Sequence, residues 1–530
     1  MSLRNRTVGG VIAFFALVFL AACGSNSNTS TPPPTGGFSN SNLKGTYVFS
    51  IVGSDSTANN NFLAIAGTFT ANGTGGNGGI TGGTLDINDA GFTAPAANIS
   101  ITGGTYAVTS DGRGQATLVA PTPFGTSLKV DFVLTSSGHG LITEFDGFGT
   151  GSGSLDLQSS TSQPAAGTYV LGLSGISGIN TVIGGGILVA TAGAVTLDAS
   201  GVATGSLDYN NNEAPSVLTF NSGSTVSVTG TSGTATLVTS GGTFNFDVFP
   251  IDSTHLKFIE IEAGSVPILS GDLFSQTSST FPSGAIAFTM AGLDYGASPA
   301  VPLAVGGLMT SDGTTISNGE EDFNDSGTAD TTPQAFTGTI TPSGSRFLVQ
   351  LNSFENGASG TTGTFTFAAY PSSGGIELVE IDGNGVTAGV AFSQSSTTLA
   401  SSQGYGFNLT AANSSNFEED DIAEFTTTSS GFSGLIDVND QGQTNFDQRF
   451  SGTYTLDSPA TGRGVLTSNL LNGVFYVVDS SDVLFIETDN NQLGVGAFQM
   501  QSASAKSSLT AAHFAMLRLK PGAKKALKRK

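Results

Sequence analysis

The sequence has no tryptophan, one cysteine and three histidines in 530 residues. A single cysteine, Cys23, excludes any intrachain disulfide. The histidines, His139, His255 and His513, show no zinc-ligand spacing, so they do not suggest a metal centre. Charge is scarce at 11% and one-sided. All 40 Asp and Glu lie between residues 24 and 505, where only seven Lys or Arg occur, leaving that span at net −33. Such a surface repels phosphate backbones and excludes nucleic acid as a partner of the body. Helical periodicity is also missing from this span, and with it the crossover helices that parallel strands need. What is present is 74 Gly, 37 Phe and 38% hydrophobic residues. That is too much apolar surface for a disordered chain, and the composition reads as all-β.

The first 22 residues have a basic start at Arg4 and Arg6, an apolar run from Val11 to Leu20, and the ending Leu20-Ala21-Ala22 before Cys23. The run is short for a membrane span of ~20 residues. The pattern resembles a bacterial lipoprotein signal peptide with its lipobox. That resemblance implies cleavage before Cys23 and acylation of its thiol, and no other cysteine competes for the role. Residues 23–41 then form a Ser/Asn/Thr/Pro tether with nothing to bury. Gly24 stands where the lipoprotein sorting rule places an inner-membrane Asp, which points to the outer membrane.

The body repeats. Units open with GTYVFSIVG (45–53), GTYVLGLSG (167–175), GAIAFTMAG (284–292) and GYGFNLTA (404–411). They close at Gln158, Gln276, Gln394 and Gln501. Four β repeats follow, at 42–158, 164–276, 282–394 and 401–501, with a basic tail at 506–530. Alternating stretches such as LKVDFVL (128–134) and FNFDV (244–248), separated by turns such as SDGRG (110–114), predict about eight short antiparallel strands per repeat. Eight meandering strands close into a small up-and-down barrel, favoured here over a two-sheet sandwich. The Ser/Thr-rich links suggest that the repeats fold separately.

One motif recurs in every repeat: TLDIND (84–89), SLDYNN (206–211), EDFND (321–325) and LIDVND (435–440). Asp86 and Asn88, and likewise Asp437 and Asn439, are weak calcium-loop candidates. Neither copy supplies the bidentate Glu at position 12, where Ala97 and Gln448 stand. A tight turn fits the pattern better. No nucleophile elbow and no phosphate-binding loop is completed, and nothing asks for a cofactor.

A second constellation is acidic. Glu144, Glu260, Glu380 and Glu487 align, each followed two residues later by an acid: Asp146, Glu262, Asp382 or Asp489. Residues two apart on a strand share a face, so each pair resembles a two-carboxylate hydrolase site. Four identical active sites in tandem are hard to justify, so a structural acid is the simpler reading. An inward carboxylate needs a partner. Arg113, Arg346 and Arg463 recur near one turn, which suggests the ion pairs Arg113–Glu144, Arg346–Glu380 and Arg463–Glu487. The other side of the Glu strand carries Lys257 and Glu377, expected to face water.

The tail holds eight basic residues and no acid, which suits an anionic surface or an acidic partner. Through the lipobox, GTYVF, GGTLDIND and SDGRG, nearly the whole mature chain resembles uncharacterised repeat lipoproteins predicted in acidobacterial genomes. The resemblance implies location and architecture and no activity. The sequence thus suggests a lipid-anchored, non-enzymatic envelope protein with a structural or binding role toward a protein or glycan. The alternatives are an envelope hydrolase, glycan-directed or otherwise, using the Glu/Asp pairs, and a barrel carrier of small apolar ligands.

Overall fold

The computed structural model describes residues 37–502, apart from stretches at 58–59, 77, 181–184, 213, 264–266, 277, 296–299, 326–327, 355–362, 414 and 416. Cys23, the expected signal segment before it and the basic tail lie outside the described residues. Those described form antiparallel strands and one short 3-10 turn, Asn40–Asn42. The expected all-β, four-repeat architecture is what the chain adopts.

Repeats 3 and 4 are closed eight-stranded barrels. In repeat 3 the first strand, Gly284–Asp294, pairs with both Val301–Ser311 and the last strand, Gly385–Ser393. In repeat 4 Gly404–Asn413 pairs with Glu418–Thr427 and Gln492–Met500 in the same way. Repeats 1 and 2 have nine strands each rather than eight. A single long strand in repeats 3 and 4 (Thr328–Ser343 and Gln443–Leu456) is broken in the others. Repeat 1 has Ala96–Ile101 and Gly103–Val108 in its place, and repeat 2 has Ala214–Thr219 and Thr225–Thr229. Repeat 1 still closes, because its second and third strands pair. In repeat 2, among the described residues, no strand pairing closes the ring and the isolated bridges Val202–Thr225 and Phe220–Thr239 span the seam.

Alternation places one side of every strand inside its barrel. Those interiors are filled with the chain's own aromatic side chains. In repeat 4, Phe407, Phe425, Phe450, Phe485 and Phe498 are all buried, with Phe407 and Phe485 ring centres 5.3 Å apart and Phe425 and Phe498 5.4 Å apart. In repeat 3, Phe336 and Phe354 meet edge to face at 5.3 Å. A two-sheet sandwich is excluded by these closed ladders.

The outer faces are buried as well, so the repeats share apolar clusters. Val52 and Ala64 of repeat 1, Val170, Phe249 and Ile259 of repeat 2, and Tyr370, Val379 and Val386 of repeat 3 share one apolar cluster. Ala304 and Leu308 of repeat 3 share another with Tyr476, Leu484 and Ile486 of repeat 4. Val133 and Leu141 of repeat 1 meet Ile422 of repeat 4. Each repeat therefore packs on the next and the fourth packs on the first, so the contacts close into a cycle. A glycine permits one such approach: a Cβ on Gly306 would lie 2.4 Å from Cε2 of Tyr476 in the next repeat.

Repeat 2 expressed alone (164–276) exposes Val170, Phe249 and Ile259, each worth ~1.5–3 kcal/mol when fully buried. It is expected to bind an apolar dye and to melt well below the mature chain, as differential scanning calorimetry will show. A fragment melting as high as the mature chain contradicts the shared core.

Candidate functional site

The recurring Asp-x-Asn motif sits at the end of the third strand of each repeat: Gly78–Asp89, Ala203–Asn211, Thr315–Asp325 and Gly431–Asp440. Ile87 points into its barrel, so Asp86 and Asn88 point out of it. The Asn partners lie in the following repeat. Asn88 Nδ2 donates to the main-chain carbonyl of Glu260 at 2.7 Å. Asn210 Nδ2 donates to the Glu380 and Gly385 carbonyls, each at 2.9 Å. Asn324 Nδ2 donates to those of Glu487 at 2.9 Å and Gln492 at 3.0 Å. Asn439 Nδ2 returns to the start of the chain, reaching the Glu144 carbonyl at 2.8 Å and that of Gly149 at 2.9 Å. One amide thus joins each barrel to the next, and the fourth copy closes the cycle.

The calcium candidates are accounted for by this arrangement. Asn88 and Asn439 use their amide N–H groups across the interface, and Asn439 Oδ1 accepts the Gly442 N–H at 2.8 Å. Asp86 accepts the Asn98 N–H, and Asp437 accepts the Asp447 N–H at 2.6 Å. Among the described residues no group of three or more His, Cys, Asp or Glu is placed to hold a metal ion. The turn reading holds for the residues that follow. Gln441 and Gly442 both have positive φ (50° and 81°) between the paired residues Asp440 and Gln443.

The expected Arg–Glu pairs are corrected: the arginines bind the motif aspartates of the preceding repeat. Arg113 Nη1 lies 3.3 Å from Asp437, and Arg346 pairs with Asp208. Arg463 Nε lies 2.7 Å from Asp322, which also accepts the Tyr476 hydroxyl at 2.7 Å. The physical reason is direction. Each Glu points into the mouth of its own barrel, whereas each Arg points out toward its neighbour. The interface between repeats 1 and 2 lacks an arginine, because Ser232 stands at that position. Asp247 faces Asp86 there, and burial together with this neighbour pushes the Asp86 carboxyl up to about 7 against the Asn98 N–H bond.

The four Glu side chains are buried as expected, at 0–2% exposure. Burial raises all four: Glu260 to about 8, Glu487 to about 10, and Glu144 and Glu380 well above the ordinary range. The following acid adds to this in each repeat. The carboxyls also hold their turns, with Glu262 N–H donating to Glu260 at 2.6 Å and Asp489 N–H to Glu487 at 3.4 Å.

Lys257 and Glu377 do not face water: they are 1% and 8% exposed. The outside of each barrel here is the inside of the cycle. Lys257 Nζ lies 2.8 Å from Asp272, which His255 Nε2 also meets at 2.6 Å. His139 Nδ1 lies 2.6 Å from Asp156. Burial disfavours the charged His139 ring, but Asp156 outweighs it and raises the imidazole, with Lys257 and Asp482 of other repeats also acting on it. Burial would raise Asp156 too, yet His139, Lys257 and His255 hold it below the usual carboxylate range. These groups form a buried polar centre drawn from several repeats.

Two features escaped sequence reasoning. Three of the closing glutamines, legible as landmarks, are latches: Gln158 Nε2 donates to the Pro250 carbonyl at 2.7 Å, Gln394 Nε2 to that of Val477 at 2.8 Å, and Gln501 Nε2 to that of Leu134 at 3.0 Å. Their fixed position at every repeat end was the available signal. The other is a surface aromatic chain on repeat 1. Phe92 and Phe124 lie 5.4 Å apart, and Phe124 and Phe148 stack at 6.0 Å. Phe148 is 46% exposed. Across the seam, Phe446 of repeat 4, 48% exposed, meets Phe145 at 4.8 Å. Isolated Phe residues in Gly-rich turns carry no periodic signal.

No family model matches the chain, and no curated protein matches it. Among solved structures it is similar to a double mutant of the vaccine antigen transferrin binding protein B from Haemophilus parasuis Hp5, at 10% identity and TM-score 0.17 over 71% of this chain and 84% of that one. It is also similar to a DUF3598-family protein of unknown function from Nostoc punctiforme PCC 73102, at 7% identity and TM-score 0.10 over 64% and 96%. A third is the P pilus usher (PapC) translocation pore, at 6% identity and TM-score 0.11 over 87% and 99%. Scores this low carry no argument about function.

Removing the Arg463 side chain leaves Asp322 buried and uncompensated, so Arg463→Ala is expected to cost ~3–5 kcal/mol. Asn439→Ala leaves two buried carbonyls without their amide donor and is expected to cost ~1–3 kcal/mol. Denaturant melts of the mature chain check both.

The seam between repeats 4 and 1 is the most acidic. Glu418, Asp420 and Glu424 face repeat 1 there, and burial raises Asp420 to about 7, Glu424 to about 8 and Glu418 well above its ordinary range. An acid raised on folding keeps its proton when the unfolded chain has lost it. Its contribution is neutral below the unfolded value near 4.5 and becomes destabilising as pH climbs toward the folded value. Melting temperature is therefore expected to fall as pH rises from about 5 to about 8. Amide exchange should increase first at this seam, in Glu418–Thr427 and Gly149–Leu157. A melting temperature that rises over this range contradicts the assignment.

Proposed function

We propose that this chain is a lipid-anchored protein of the bacterial envelope, of the kind predicted in acidobacterial repeat lipoproteins. Its four-barrel body is a non-enzymatic scaffold. The observation that supports this most is where the recurring polar residues go. The motif Asn and Asp, the arginines and the closing glutamines join one barrel to the next, and the recurring Glu side chains are buried in the mouths. A hydrolase needs its carboxylates open to substrate and at least one ionised at working pH. A carrier needs a cavity, and phenylalanines fill the interiors.

The anchor is Cys23, and the outer membrane is its destination. The binding surface of the scaffold is the exposed ring of Phe148, backed by the half-buried Phe124 and Phe92, with the exposed Phe446 across the seam. Flat apolar rings on an otherwise polar rim suit the face of a sugar ring or an apolar side chain of an envelope protein.

Metabolic labelling with a fatty-acid probe should mark the wild type and not Cys23→Ser. Equal labelling of both removes the anchor from this account. Phe148→Ser combined with Phe446→Ser should lower retention of the mature chain on isolated envelopes about tenfold while leaving its melting temperature within a few degrees, because both rings are half exposed. Unchanged retention removes the aromatic chain as the binding surface.

A further inference from the structure

The two ends of the described chain meet. Phe38 N–H donates to the Ser110 carbonyl at 3.1 Å, and Gln501 Nε2 donates to the Asp111 carbonyl at 2.7 Å. A Cβ on Gly112 would come within 2.5 Å of Gln501 Nε2 and 3.0 Å of the Phe38 ring. Both ends are fastened where they meet. Phe38 and Leu43 are part of the repeat 1 core, and Ser502 N–H donates to the Thr135 carbonyl at 2.7 Å. Closure of the cycle is the cause: repeat 4 docks on repeat 1, so the chain leaves the body beside the place where it enters.

What continues from those two points is chemically matched. Upstream, Cys23 is 15 residues before Phe38. Downstream, the tail carries Lys506, Arg518, Lys520, Lys524, Lys525, Lys528, Arg529 and Lys530 and no acid. A 15-residue segment spans at most ~50 Å, and the 22 residues from Ser502 to Lys524 at most ~75 Å. Any bilayer that holds the Cys23 lipid is therefore within reach of the basic cluster. The body, at net −33, is repelled by an anionic bilayer, and the tail carries the opposite sign.

The recurring Glu residues of the body are poor partners for the tail. The recurring Glu residues lie at the opposite end of the barrels. The first strand, Lys44–Asp55, runs twelve residues from the entry point toward them, roughly 40 Å. They are also buried.

We propose that residues 506–530 are a second anchor, gripping the anionic phospholipid headgroups of the leaflet that holds the Cys23 lipid. A polybasic segment adds electrostatic attraction for anionic headgroups to the hold of the acylated cysteine. Both leave from the Ser110–Arg113 turn, so this end of the body faces the bilayer. The proposal rests on the lipidation reading.

The test uses the mature chain with and without lipid. Vesicles are phosphatidylcholine alone, or phosphatidylcholine with phosphatidylglycerol, at low salt. The variant replaces all eight tail Lys and Arg by Gln. In the Cys23→Ser background, binding to phosphatidylglycerol vesicles should fall about tenfold with the Gln tail, and binding to phosphatidylcholine should be negligible with either tail. Equal binding with both tails overturns the proposal. Absence of an acyl group on Cys23, with tail-dependent binding intact, overturns the lipidation reading and leaves the tail's partner standing. The shared leaflet is tested by turbidity. Lipidated protein on neutral vesicles should cluster added phosphatidylglycerol vesicles, and should stop doing so when its own vesicles contain that lipid. Clustering undiminished by its own anionic lipid overturns the shared leaflet.

Discussion

A main-chain carbonyl at the end of one strand, buried and turned toward a neighbouring barrel, is the constraint on which the rest depends. In each repeat it belongs to the recurring Glu, and its donor is an Asn amide from the repeat before. A buried carbonyl without a donor is costly. In all four repeats that donor comes from another barrel. With four repeats each donating forward, the first carbonyl can be satisfied only by the last repeat. Closure of the cycle follows from the same local requirement that joins consecutive barrels.

Closure also explains the electrostatics. The outward faces of four barrels converge, and polar residues there are shielded from water although they lie outside every barrel. Three interfaces answer a buried aspartate with an arginine from the next repeat; the fourth places a second carboxyl beside it and relies on protonation. A body with seven Lys and Arg places three of them at these interfaces, and burial raises many of its remaining acids. Where repeat 4 meets repeat 1 the second strand carries Glu418 and Asp420, while repeat 1 has Phe62 and Ala64 and repeat 2 has Leu188 and Ala190. The closing contact is thus more polar than its counterparts.

The barrels were legible because alternation is local: LKVDFVL and FNFDV show which side is inside without reference to anything distant. The Asp-x-Asn motif, the glutamines and the recurring Glu were legible as positions, since four copies keep the same spacing. Their partners were not. Pairing Arg463 with Glu487 assumed that both belong to one barrel wall, whereas Arg463 faces outward and meets Asp322, 141 positions earlier. Lys257 was read as facing water for the same reason: its strand shows two sides, and nothing in it shows that the outer one is covered.

By itself the sequence determined the strand periodicity, the number of repeats, the sign of the body's charge and the leader pattern around Cys23. Each of these is set by side chains close together along the chain. Tertiary structure alone decided that the barrels join into one body and that the amides reach forward rather than into their own turns. It also decided that the two ends of the body lie side by side. Those outcomes depend on buried carbonyls finding donors more than a hundred residues away, and only closure of the cycle brings them within hydrogen-bonding distance.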